Sequence, residues 1–338
     1  MNFMGRTVLV VGGAGYIGSV LVPELLRAGA RVRVLDQLIY DNGFALAPQL
    51  DDPDLTFERG DLRDPDDLAR AAQGATDVVL LAALVGDPIC RTYPDLARQV
   101  NEVGATRLVD QLDGLGVSRF VFLSTCSNYG LRESSTLATE DTVLNPQSLY
   151  ACTKVAVEEH LLGRAAELTS AATVLRVATA YGLSPRMRFD LTVSHFAWAL
   201  ATGRPLQVYD AETWRPYCHV RDIAKAVMTV LRVPAADVRG EVFNVGDTAQ
   251  QFTKRMIVDE VRKHLEAVSV SYADGDTDPR NYRVAFDKIA VRLGFRCDHT
   301  VQDYIAQLVP AVHAGVFPDV CGNPRFGNYT VRNIEPAR

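Results

Sequence analysis

The stretch that most constrains this chain is Thr7 to Leu26, TVLVVGGAGYIGSVLVPELL. Val8 to Val11 is an uninterrupted apolar run rich in β-branched residues, the pattern of a strand buried on both faces. Gly12, Gly13 and Gly15 then make a turn that a Cβ would crowd. From Tyr16 the apolar spacing turns helical, with Ile17, Val20, Leu21 and Leu25 on one side. A strand, a glycine turn and a helix start aim backbone N–H groups and the positive helix end at a pyrophosphate. Gly12, Gly15 and Gly18 are spaced GxxGxxG, one residue different from the commoner GxGxxG turn.

Composition narrows the classes of partner. The chain has 338 residues, 48% hydrophobic and 22% charged, as in ordinary globular proteins. A formal charge of −6, with basic residues scattered, gives no reason to expect nucleic acid or an anionic membrane as partner. No apolar stretch approaches the ~20 residues of a membrane span. The start, MNFMGRT, leads straight into the first strand and leaves no room for a signal peptide. The six cysteines are dispersed without metal-ligand spacing, so reduced thiols, a cytoplasmic location and no metal are expected.

Further along, Arg31 to Leu35 is a second strand ending at Asp36. An acid there suits a bidentate hydrogen bond to the adenosine ribose hydroxyls and would repel a 2′-phosphate, which favours NAD over NADP. Leu55 to Glu58 is a third strand, followed by Gly60-Asp61-Leu62, where Asp61 could hold the adenine amino group. Taken alone, Asp36 reads equally as a strand-end residue and Asp61 as a turn residue. Asp77 to Leu81 runs into Ala82-Ala83-Leu84, small residues that let the backbone approach a cofactor closely. Val103 to Leu112 is helical and Arg119 to Leu123 is a fifth strand. Strands alternating with helices at this period indicate an α/β fold with a parallel sheet and helices on both faces.

The fifth strand ends in Ser124-Thr125-Cys126-Ser127, and Tyr150-Ala-Cys-Thr-Lys154 opens a later helix. Tyr150 and Lys154 are four apart and share a helical face. A phenol normally titrates near ~10, and a neighbouring ammonium together with a cationic nicotinamide would favour the phenolate. Thr125 would orient the substrate oxygen. Val174 to Val177 continues the sheet. Beyond it the alternation loosens, with a helix from Val193 to Ala201, short strands at Pro205 to Tyr209 and Val242 to Val245, and a helix after Asp222.

The chain resembles the extended short-chain dehydrogenases/reductases of the NAD-dependent epimerase/dehydratase type, which act on nucleotide sugars. The matching elements are GGAGYIG, Asp36, GDL, LAAL, STCSNYG, YACTK, WRPYCHVRD and DPRNYRVAFDK, spanning Val8 to Lys288. The resemblance implies a Rossmann-type doubly wound sheet in residues 1–182, with later segments about 206–248 returning to it. A smaller α/β substrate domain would occupy mainly 183–338. It places NAD against Gly12, Gly15, Tyr16, Ile17, Gly18, Asp36, Asp61, Leu62, Ala82, Ala83, Tyr150 and Lys154. It makes Thr125, Tyr150 and Lys154 the catalytic hydroxyl, base and lysine. It assigns the nucleotide-diphosphate sugar to Cys126, Ser127, Thr179, Arg188, Arg215 and Arg280, with Arg215 and Arg280 clamping the diphosphate through planar guanidinium forks. Relatives lead one to expect a homodimer, the helix after Tyr150 being one candidate interface.

The departures matter as well. Sugar-nucleotide 4,6-dehydratases resemble this chain but carry Asp-Glu directly after the catalytic Thr, where Cys126 and Ser127 stand here. Dehydration is therefore disfavoured. Thr179 replaces the Asn of many relatives. Cys126 reads either as a side chain facing the sugar or as a small packing residue, and His219, at a helix entry, reads as structural. The leading expectation is a C4 epimerase working through a transient 4-keto sugar. SPRMRFDL and AALVGDPIC also resemble a subgroup that oxidises C4 of GDP-linked heptoses, so a net C4 dehydrogenase or 4-ketoreductase is the alternative. A non-catalytic NAD-binding sensor is a third, less favoured reading.

Overall fold

The fold is seen in a computed structural model that describes residues 3–133, 135–275 and 280–332; of the matched motifs, Asp278 and Pro279 lie outside the described residues. The strand before the glycine turn, Thr7–Val11, lies inside a seven-stranded sheet and is buried along its whole length. On one side it pairs in parallel with Arg31–Asp36, which pairs with Leu55–Arg59. On the other side come Asp77–Leu80, Arg119–Thr125, Ala171–Val177 and Glu241–Val245, all parallel. The chain thus builds outward in one direction from Thr7–Val11, then returns and builds outward in the other. The crevice at such a reversal lies at the carboxyl ends of the strands.

Alternation along each strand feeds two apolar layers. Val8, Val10, Val32, Val34, Val121 and Leu123 pack beneath the helices Gly18–Arg27 and Val220–Arg232. Leu9, Val11, Leu35, Val78, Leu80 and Phe122 pack against the other face, under Pro65–Ala72, Ala105–Gln111 and Leu149–Arg164. The acidic run at Asp64 is a helix cap, as its composition suggests: the Asp64 carboxylate accepts from the backbone N–H groups of Asp66 and Asp67. The helix expected over Val103 to Leu112 begins differently, with a π-helical turn at Gln99–Gly104 running into Ala105–Gln111.

A second apolar core gathers the helices Thr192–Ala201, Lys254–Arg262 and Val301–His313 around Phe189, Trp198, Ile257 and Ile305. Glu241–Val245 completes an edge of the large sheet, whereas Leu206–Tyr209 does not join it. Leu206–Tyr209 pairs instead with Val270–Ala273 in a separate two-stranded sheet, burying Leu206 and Val208 against the second core. A three-stranded sheet of Thr179–Tyr181, Trp214–His219 and Gln251–Thr253 stands between the two cores. Among the described residues, no helix is long and apolar enough to cross a membrane.

Candidate functional site

A cavity of about 610 Å³ opens along the carboxyl ends of the large sheet. It is walled on one side by the loops after Thr7–Val11, Arg31–Asp36 and Asp77–Leu80. The other wall carries Arg188, Arg215 and Arg280. The glycine turn makes its floor. Gly12 has φ +87, and a Cβ on it would sit 2.6 Å from the Ala82 nitrogen; a Cβ on Gly18 would meet the Gly12 and Gly13 carbonyls at 2.6 Å. Only glycine brings these backbones together. The helix that follows, Gly18–Arg27, has no side-chain hydrogen bond at its N-cap; its Ser19 and Val20 N–H groups donate to the Gly15 and Ile17 carbonyls, and Gly15 to Gly18 at its start line the cavity.

Asp36 sits where Arg31–Asp36 ends. Its two carboxylate oxygens accept from the backbone N–H groups of Ala14 (3.0 Å) and Leu38 (2.9 Å). Burial pushes the acid upward from the ordinary carboxylate range, against the pull of these bonds. Asp61 lines the same end with its carboxylate held by Arg63 at 2.6 Å and by Gln37 Nε2 at 3.0 Å. Tyr16 lines the wall and donates its hydroxyl to the Gly182 carbonyl at 2.6 Å. Ile17, Leu62, Ala82 and Ala83 complete this end.

At the other end lie Thr125, Ser127, Tyr150, Lys154 and Thr179. Thr125 closes the strand Arg119–Thr125, and its hydroxyl accepts from the Ser127 N–H at 3.1 Å. Ser148 caps the helix Leu149–Arg164 and brings Tyr150 and Lys154 to its first turns. Burial pushes the Tyr150 phenol well above its ordinary range; Cys90 and Asp87 add to that, while Arg188 and Arg280 oppose it. The Lys154 ammonium donates to the Leu123 carbonyl at 2.8 Å and lies 4.7 Å from the centre of the Phe122 ring. Burial pushes Lys154 down to about 8, against the influence of Glu158 and Cys90. The sequence suggested that Lys154 would lower the phenol. In the structure the ammonium is turned toward the Leu123 carbonyl, and arginines supply the charge that favours phenolate.

The arginines are held in place. Arg188 is buried and paired with Asp190 at 2.5 Å. Arg215 donates to the Trp214 carbonyl at 2.7 Å and lies over the Tyr282 ring. Arg280 pairs with Asp87 at 2.9 Å and donates to the Ser127 hydroxyl at 3.3 Å. Every residue that the sequence offered as catalytic, cofactor-binding or substrate-binding therefore lines this one cavity, except Cys126. Cys126 is fully buried in the layer under the other side of the sheet, with Sγ donating to the Arg176 carbonyl at 3.2 Å. Burial raises its thiol well above the ordinary range. It is a packing residue and does not face the cavity.

Several residues carrying the site had escaped notice. Glu158, one turn beyond Lys154, is buried and ion-paired with Arg176 at 2.7 Å, and it accepts from Asn128 Nδ2 at 2.7 Å and from the Ser124 hydroxyl. The charged Arg176 inside the apolar run AATVLRV was a visible signal of such a partner. Asn101, in the π-helical turn, bonds both the N–H (2.7 Å) and the carbonyl (3.0 Å) of Leu84 and so sets the loop that carries Val85 to Asp87. His219 caps Val220–Arg232 through Nδ1 and stacks on His299 at 4.2 Å, as a structural residue does.

A narrow glycine floor, a helix start with no side-chain cap and a strand-end acid at one end, with a phenol and a lysine at the other, fit an extended dinucleotide. The chain's relationships agree. The pattern of the NAD dependent epimerase/dehydratase family matches residues 8–246. The chain is similar to a UDP-glucose 4-epimerase of Corynebacterium glutamicum, 29% identical over 310 residues, covering 86% of this chain and 91% of that one. It is similar to a dTDP-glucose 4,6-dehydratase of Streptomyces griseus, 32% identical over 324 residues, 92% of this chain and 95% of that one. The NAD complex of the Thermus thermophilus UDP-glucose 4-epimerase superposes with a TM-score of 0.78 at 27% identity, covering 91% of this chain and 99% of that one. The chain belongs to the NAD-dependent epimerase/dehydratase family, the extended short-chain dehydrogenases/reductases that act on nucleotide sugars with NAD.

Proposed function

We propose that this protein is a nucleotide-sugar 4-epimerase. The observation that carries the reading is that Thr125, Tyr150 and Lys154 open onto the same cavity as the glycine turn and three arginines. Bound NAD would serve as the hydride acceptor, and its reduced form as the hydride donor, at the sugar carbon. Gly12, Gly15 and Gly18, at the turn and helix start, would hold its pyrophosphate. Asp36 would take the adenosine ribose, with Tyr16, Ile17, Asp61, Leu62, Ala82 and Ala83 as walls. Tyr150 would remove the hydroxyl proton of the sugar and return it after the ring turns. Thr125 would donate a hydrogen bond to the sugar oxygen, and Lys154 would orient the ribose beside it. Arg188, Arg215 and Arg280 would meet the diphosphate, with Ser127 and Thr179 reading the sugar.

Burial leaves the Tyr150 phenol protonated in the free protein, so the base must be tuned by what binds next to it. A cationic nicotinamide would act in that direction, and so do the Arg188 and Arg280 charges. Water elimination would need a carboxyl acid and base beside Thr125. Cys126 points into the core and Ser127 is a hydroxyl, which supports redox chemistry without dehydration. Residues 1–182 with Glu241–Val245 would carry the cofactor, and most of 183–332 the sugar nucleotide.

The test is to incubate the purified protein with UDP-, dTDP-, GDP- and CDP-hexoses, following NADH absorbance and analysing products by NMR. An inverted C4 centre without accumulation of NADH supports the proposal. NADH formed in proportion to a keto-sugar would replace it with a net dehydrogenase.

A further inference from the structure

The segment from Asn323 to Arg332 carries none of the motifs that mark the cavity, yet it is bonded to both of its rims. On the arginine side, the buried Arg186 donates through Nη2 to the carbonyls of Pro324 (3.3 Å) and Gly327 (3.0 Å) and to Asn328 Oδ1 (3.2 Å). The Phe189 N–H donates to the Phe326 carbonyl at 2.7 Å, and the Asn328 N–H donates to Asp190 Oδ2 at 3.3 Å. On the sheet side, Asn328 Nδ2 donates to the Val85 carbonyl at 3.3 Å. The Arg332 N–H donates to the Ile39 carbonyl at 2.7 Å, and its guanidinium pairs with Asp41 at 3.1 Å. Val331 is buried against Tyr40, Leu84 and Ile89. Between these anchorages, Asn328 and Tyr329 line the cavity.

A ligand leaves a cleft when its rims part. Here the rims are joined by one continuous segment, so its bonds on one side must break before they separate. The attachment points Ile39 and Tyr40 lie three and four residues after Asp36, and Val85 lies two after Ala83. The segment therefore runs from the arginine wall, at Arg186 and Asp190, to the loops that follow Asp36 and Ala83. Asn328 is bonded through its side chain to both rims at once, which sets its position before any ligand enters.

We infer that residues 323–332 are a clasp that keeps the dinucleotide in the cleft between turnovers, with Asn328 and Tyr329 touching it. The inference rests on the proposed function only for the place of NAD in the cavity. It supplies what an epimerase requires, because hydride taken from the sugar must be returned before the cofactor escapes.

The test is NAD retention by the full chain. Protein loaded with NAD is passed through a desalting column, and the NAD still bound is measured over time. Val331→Asp puts a charge into the buried anchorage at a residue that does not itself line the cavity, though it packs behind the lining residues Tyr40, Leu84 and Ile89, and it should release NAD about tenfold faster or more. Asn328→Ala, which removes the side-chain bonds to Arg186 and Val85, keeps the test open should Val331→Asp fail to fold, and it should act in the same direction. Release at the wild-type rate from a folded variant would overturn the clasp, as would a wild type that loses NAD within the column time. A wild type that turns over no sugar, with Val331→Asp still releasing NAD faster, would leave the clasp standing and remove the epimerase reading.

Discussion

Lys154 donates to the main-chain carbonyl of Leu123 across 2.8 Å, tying the helix that carries Tyr150 to the end of a sheet strand. The ammonium is held there at a cost, since burial moves it from its ordinary 10.5 to about 8. Between those values the unfolded chain binds more protons than the folded one, so stability contributed at this site rises with pH. Lys154→Met should therefore be as stable as wild type or more so near neutrality. As pH rises from 7 toward 10 the difference should move in favour of wild type, the full swing being on the order of 3 kcal/mol. Denaturant titrations of both proteins across that range measure it. A flat or reversed difference would contradict the burial argument.

The glycine floor yields a paired comparison. Gly12 and Gly294 both have positive φ, but a Cβ on Gly12 would meet the Ala82 backbone, whereas one on Gly294 would meet nothing within 4 Å. Gly294→Ala should cost only the backbone strain of about 1–2 kcal/mol and leave NAD binding intact. Gly12→Ala adds a steric clash to similar strain and should abolish NAD binding, as read by calorimetric titration. Equal NAD affinity in the two variants would show that the turn does not hold the cofactor.

Glu158 and Arg176 form a buried ion pair beneath the reacting end of the cavity. Glu158→Gln leaves the Arg176 charge uncompensated and should destabilise the fold by about 3–5 kcal/mol. Urea unfolding followed by circular dichroism gives the value. A loss under about 1 kcal/mol would mean that water or another group serves Arg176.

Cys126 gives the opposite expectation for activity. Its thiol faces the core, so Cys126→Ser, which keeps a donor for the Arg176 carbonyl, should change sugar turnover by less than about twofold and stability by about 1 kcal/mol. A loss of activity beyond tenfold with the fold intact would return this residue to the chemistry.

What could be read from the sequence was whatever local spacing encodes. The glycine turn, the strand-end Asp36 and the Tyr150/Lys154 pair are each carried by a few neighbouring residues, and all of them line the cavity. Cys126 was left open because the strand Arg119–Thr125 ends one residue before it, and a 3₁₀ turn takes over there. The direction of Lys154 depends on the Leu123 carbonyl, which lies 31 positions earlier in the chain. Leu206–Tyr209 gave a strand pattern but no indication of its partner, since pairing with Val270–Ala273 is decided by tertiary packing. The clasp was the least legible part: Arg186 and Gly327 lie 141 positions apart, and no periodicity connects them.

In the proposed epimerisation, hydride leaves C4 of the sugar and returns to the same carbon from NAD that stays bound. The most direct measurement uses a nucleotide hexose that the protein converts, deuterated at C4, with the products read by NMR and mass spectrometry. The expected product is a C4 epimer that keeps its deuterium at C4, with no label in solvent or free NADH and conversion lowered by about 10²-fold or more in Tyr150→Phe. Deuterium recovered in released NADH, or exchanged for solvent hydrogen at C4, would contradict it.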